Sequence, residues 1–185
     1  MDIIVKYIDE LLEKSTPEAP MWNIEKIRQG LKSNWNYIDG VMIKAVLQMY
    51  DVTKDEKYLK FADNFIDYRV HEDGTIDGYN IGEKNIDNVN AGKTLFELYD
   101  LTGKEKYRKA IDLVYSQIEI MPRCNNEARS FWHKDIYPNQ VWLDGMYMGQ
   151  PFYLEYETKF NNRKNYPDIF AQFKYVIENM KNPLN

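Results

Sequence analysis

Two aspartates carry the chemistry that this sequence makes available, Asp87 and Asp144. Each follows a long polar stretch, and each holds the same place in a repeated segment of the chain. Two carboxylates beside aromatic rings can divide acid and base work, because burial raises the pKa of one above the other. The stretch before Asp144 supplies the rings: Phe131-Trp-His-Lys134, then Tyr137-Pro-Asn-Gln-Val-Trp142. His133 can donate or accept a hydrogen bond near neutral pH. Lys134 offers a cation to an anionic sugar carboxylate, and a solvated surface charge is its equal alternative. For a lone aspartate the commoner role is a helix N-cap. The pairing, the long loops and the adjoining Trp142 shift the balance toward a site.

Other chemistries find less support. The two histidines, His71 and His133, lie far apart and outside any HExxH-like spacing, so neither a metal site nor a metal cofactor is expected. Cys124 is the single cysteine, which excludes a disulfide within the chain and suggests a buried, inert thiol. Gly74, Gly78 and Gly82 lack the spacing and strand context of a phosphate loop. Met146 and Met148 suit groove or core filling. The net charge of -5, without a basic run, argues against nucleic acid and anionic membranes as partners. With 44% hydrophobic and 29% charged residues, the chain can build a globular core. The N-terminal MDIIVKYIDELLEK has no apolar core of signal-peptide type, and no stretch approaches the roughly 20 apolar residues of a membrane span. A cytoplasmic location is the default expectation.

The elements that must position the two aspartates show in an internal repeat. Tyr50, Asp51, Thr53, Glu56, Lys57 and Tyr58 recur as Tyr99, Asp100, Thr102, Glu105, Lys106 and Tyr107, at an offset of 49 residues. A weaker third copy holds Tyr156 and Thr158. A period near 50 residues with helical patterning predicts an array or toroid of helical hairpins. We expect one all-α domain over residues 1–185, with hairpins at about 35–70, 86–121 and 142–181. A leading helix over 2–14 precedes Pro17 and Pro20, and segment 23–33 is expected to be helical too. Loops 71–86 and 122–141 each join an outgoing helix to the next incoming one, so both fall on one rim. Aligned on Tyr50, Tyr99 and Tyr156, the positions twelve residues earlier are Ile38, Asp87 and Asp144. Asp39 stands one residue out of phase.

The run from Phe131 to Lys134, the Gln140-Val-Trp-Leu-Asp-Gly145 core and its continuation through Met148, Pro151 and Phe152 resemble glycoside hydrolase family 105. That family comprises unsaturated rhamnogalacturonyl hydrolases, related to the unsaturated glucuronyl hydrolases of family 88. Trp35-Asn-Tyr-x-x-Gly40 and Asn85-Ile-Asp87 fit the same pattern, and the resemblance extends from about Trp22 to Asn182. It implies an (α/α)6 barrel and a substrate bearing a 4,5-unsaturated uronic acid at the non-reducing end of a pectin-derived oligosaccharide. It implies hydration of the enol-ether double bond, with release of the unsaturated sugar from its neighbour, commonly rhamnose. Asp144 matches the general acid/base and Asp87 the second carboxylate. Tyr37, His133 and Trp142 match the sugar pocket, and Lys134, Gln140 and Met148 complete the expected substrate-binding set. No cofactor is implied.

Six hairpins complete such a barrel, and this sequence holds about three. Half a toroid exposes helix faces meant for neighbours. Three readings stay open at this point: a fragment, pairing with a second copy or a second half-barrel chain, or a core closed differently with catalysis lost, leaving a truncated non-catalytic carbohydrate-binding or helical assembly module.

Overall fold

The computed structural model describes residues 2–182. Helix α1 (Asp2–Glu13) leads, followed by a 3-10 turn (Met21–Asn23) and the short α2 (Ile24–Arg28). Three hairpins follow: α3 (Tyr37–Thr53) with α4 (Glu56–Asp67), α5 (Lys93–Thr102) with α6 (Glu105–Ile120), and α7 (Leu143–Phe160) with α8 (Tyr166–Met180). Among the described residues the only extended pairing is three isolated bridges, and no helix is long and apolar enough to cross a membrane.

The repeated residues build the hairpin turns. At the ends of α3 and α5 the chain turns left-handed, at Lys54 (φ 55°) and Gly103 (φ 68°), and each amide donates back to the carbonyl of Tyr50 or Tyr99. Such a left-handed residue is a common helix stop, and glycine adopts it without strain. The Tyr50 hydroxyl then reaches Glu56 Oε1 at 3.3 Å, and Tyr99 reaches Glu105 at 3.2 Å. Both pairs clasp one helix to the next across the turn.

The Lys-Tyr pairs knit the outgoing helices together. Lys57 and Tyr58 bind Asp9 of α1 at 2.9 Å each, while Tyr107 binds Asp63 at 2.6 Å and Lys106 meets Asp67 at 3.0 Å. By this bonding α1 stands to α4 as α4 stands to α6. The core lies between hairpins, with Leu47, Tyr58, Phe65, Leu95, Phe96, Tyr107, Ile111 and Phe152 buried.

Two expectations need correction. Segment 23–33 is helical only over Ile24–Arg28, and Gly30 (φ +68°) lies in the turn beyond it. The incoming helix of the second hairpin begins as a 3-10 segment, Ile86–Gly92, because Asn88, Asn90 and Gly92 are weak helix formers. There the Asn90 side-chain amide donates to the Tyr37 carbonyl at 2.8 Å, tying the starts of two hairpins together.

Candidate active site

Loops 71–86 and 122–141 meet on one rim, as their connectivity requires. Asn85 bridges to Lys134, the Ile86 amide donates to the His133 carbonyl at 3.0 Å, and the Asp135 amide donates to the Lys84 carbonyl at 3.2 Å. This short seam sets His133 and Lys134 beside Asp87.

Neither aspartate serves as an N-cap. Asn85 caps the 3-10 segment by accepting from the Asp87 amide at 3.1 Å, and Trp142 precedes α7 without any side-chain cap. Both carboxylates are thereby left for other work. Asp87 is buried, with Lys134 Nζ 2.8 Å from its Oδ2 and His133 Nε2 3.5 Å from its Oδ1. The second distance is too long for a hydrogen bond. Asp87 Oδ1 and both ring nitrogens of His133 are buried and make no hydrogen bond within the protein. His133 Nε2 faces Asp87 Oδ1, whereas Nδ1 faces Gly145 on α7, and buried polar atoms left without partners cost free energy. Asp144, in the first turn of α7, is exposed and accepts from the Gly145 amide at 3.0 Å. Carboxylate and ring atoms of Asp87, His133 and Asp144 lie within 4.8 Å of one another.

The aromatic loop holds His133 in place. Its ring stacks on Trp142 at 4.1 Å, and Trp142 stacks on Tyr137 at 5.1 Å. Gln140 does two jobs: its carbonyl accepts from the His133 amide at 2.8 Å, and its side chain accepts from Trp142 Nε1 at 2.9 Å. Helix α7 closes the other side. A methyl group at Gly145 would come 2.9 Å from His133 Nδ1, and one at Gly149 would come 2.6 Å from the Ile86 side chain. Only glycine admits this approach. Burial pushes the His133 pKa below the ordinary value, with Lys134 adding to the effect while Asp87 and Asp144 oppose it. Burial therefore favours the neutral form of the imidazole that lies beside the two carboxylates.

The expected residues separate into groups. Asp87, Asp144, His133, Lys134, Gln140 and Trp142 come together at the rim. Lys134 is neither a free surface charge nor open to a ligand on all sides, because its ammonium pairs with Asp87. Tyr37 lies exposed at the start of α3, linked to the second hairpin through Asn90. Met148 is buried within the hydrophobic core, the position its filler reading requires. Asp87, His133 and Asp144 are metal-ligand types, but the Lys134 ammonium already compensates Asp87. Asp39 joins a buried network, accepting from Trp22 Nε1 at 2.8 Å, Asn23 Nδ2 at 3.2 Å and Asn36 Nδ2 at 3.0 Å. Sequence reasoning missed Asn85, Gly145 and Gly149 as supports. The two glycines one helical turn apart were the available signal.

Stacked helical hairpins with two carboxylates on one rim are the arrangement of an α/α-toroid. Residues 7–185 match the model of Glycosyl Hydrolase Family 88, and the chain belongs to that family. It is also similar to a solved family 105 glycoside hydrolase of C. acetobutylicum ATCC 824, at 43% identity and a TM-score of 0.77. The match covers 85% of this chain and 44% of that one, so the chain spans less than half of that relative's length.

Proposed function

We propose that this site hydrolyses oligosaccharides ending in a 4,5-unsaturated uronic acid, of the kind left in pectin and rhamnogalacturonan fragments, in the cytoplasm. The observation that carries this reading is the convergence of Asp87, His133 and Asp144 beside the stacked Trp142. Asp144, the exposed member, gives its proton to C4 of the enol ether. Cationic character then develops at C5 and the ring oxygen, where the paired carboxylates stabilise it. Water adds at C5 and returns a proton to Asp144. The hemiketal opens, C1 becomes a hemiacetal, and its collapse releases the neighbouring sugar. One water is consumed, and the acid ends as it began. His133, whose neutral form burial favours, can donate or accept one hydrogen bond at the sugar. Lys134 orients Asp87 through their ion pair.

The test is loss of the enol-ether ultraviolet band on an unsaturated rhamnogalacturonan disaccharide. Asp144→Asn should abolish turnover while leaving the fold intact by circular dichroism. Retained turnover would remove Asp144 from its role.

A second reading has an observation of its own. Phe170 and Ile177 on α8 are 72% and 63% exposed, an apolar stripe that no other described residue covers. A non-catalytic carbohydrate-binding or assembly module fits that face if the rim binds sugar without consuming it. In either reading we propose that the stripe is covered by a further helical hairpin of the same repeat, from a second copy or a second half-barrel chain.

A further inference from the structure

Pro151 lies inside α7, seven residues after Asp144. Proline has no N–H, so the Tyr147 carbonyl, four residues earlier, loses its helical partner. The replacement donor comes from another hairpin. Lys93, the first residue of α5, donates from Nζ to the Tyr147 carbonyl at 3.0 Å. Its ammonium also lies 3.9 Å from the centre of the Tyr147 ring. Among the described residues no carboxylate pairs with Lys93, and burial, together with the nearby Lys44 charge, lowers its pKa to about 8. A half-buried ammonium without a counter-ion is costly, and here its partners are a carbonyl and an aromatic face.

The position of this bond matters for the site. At 100° per residue, Tyr147 lies on the opposite side of α7 from Gly145 and Gly149. Those glycines press the helix against His133 and Ile86. Lys93 therefore holds the same two turns from behind. It also ends the 3-10 segment that begins beside Asp87. One short stretch carries the first carboxylate at its start and a clamp on the second carboxylate's helix at its end.

We propose that Lys93 is a positioning residue. Its bond to the Tyr147 carbonyl closes the gap opened by Pro151, and it fixes the first two turns of α7, with Asp144, against Asp87 and His133. The role of Asp144 rests on the function proposed above; the clamp itself does not.

Amide hydrogen exchange on the whole chain tests the clamp in wild type, Lys93→Met, Pro151→Ala and the double variant. Lys93→Met should speed exchange of the Tyr147–Gln150 amides about five- to tenfold, the local opening expected for one lost hydrogen bond. Lys93→Arg, which keeps a donor, should exchange like wild type. Pro151→Ala restores an N–H for the Tyr147 carbonyl, so the double variant should regain protection. Unchanged exchange in Lys93→Met, or no rescue by Pro151→Ala, overturns the clamp. With an active wild type, Lys93→Met should lower kcat about tenfold at unchanged KM, with recovery in the double variant. A rise in KM alone would make Lys93 a substrate contact and overturn the positioning role. A wild type without turnover counts against the hydrolase reading, and the exchange result still decides the clamp.

Discussion

Asp39, Asp87 and Asp144 open the three hairpins and meet three environments. Asp39 is almost wholly buried, and burial raises its pKa to about 6 against the donors from Trp22 and Asn36. An acid whose folded pKa is raised stabilises the fold fully below its unfolded value, near 3.9, and loses that contribution as pH rises through about 6. The difference between the folded and unfolded values corresponds to about 3 kcal/mol. We expect urea midpoints of the wild type to fall between pH 5 and 7.5 relative to Asp39→Asn, which cannot ionise. Parallel pH profiles for the two proteins would contradict this. Burial acts on His133 with the opposite consequence. Its pKa is lowered, so stability is full above the unfolded value near 6.5 and declines as pH falls through the folded one. The sequence showed Asp87 and Asp144 because the repeat aligns them after long loops. It did not show that asparagines would take the capping work. Asn36 caps α3 and Asn85 caps the 3-10 segment, which leaves the aspartates' side chains for other partners.

At the scale of elements, the hairpins were legible because their turns are written in repeated residues. Tyr50 with Glu56, and Tyr99 with Glu105, recur because each pair bonds across a turn. The third hairpin was faint in the sequence because its turn uses other chemistry. Glu157, fully buried, accepts from the Tyr115 hydroxyl, the Asn161 side chain and the Asn165 amide, each at 2.8 Å. Burial alone would raise its pKa, but these bonds outweigh it and the pKa is lowered. Its contribution is present above the unfolded value near 4.3 and is lost as pH falls through the folded one. Glu157→Gln should cost about 2–3 kcal/mol, since the new amide turns a donor toward donors. Chemical denaturation at pH 7 measures this; a change below about 0.5 kcal/mol would show the network to be dispensable. The short α2 and the 3-10 start of the second hairpin were not legible. Their form depends on partners distant in sequence, such as Asn90 with Tyr37.

At the scale of the molecule, both edges of the array leave apolar side chains uncovered. Bonds from Asp9 tie α1 to α4, while Ile3, Ile4 and Tyr7 on the outer side of α1 are exposed. Helix α8 has the same two-sided pattern. Its buried residues Ile169, Gln172 and Val176 face α7 and the aromatic loop, while Phe170, Phe173, Ile177 and Met180 are exposed. An apolar stripe on one helix face is the surface on which a next hairpin would pack. The match to 44% of the family 105 chain agrees with this, because that relative continues well beyond the shared hairpins. If a further hairpin covers the stripe, the isolated chain should associate as its concentration rises, or bind a chain carrying the remaining hairpins. Phe170→Glu with Ile177→Glu should abolish that association without loss of helicity, because neither side chain is buried within this chain. Sedimentation velocity over a hundredfold range of concentration, with and without the complementary half-barrel, reads the outcome. A chain that stays monomeric in both cases and still turns over substrate would show the rim of three hairpins to be sufficient.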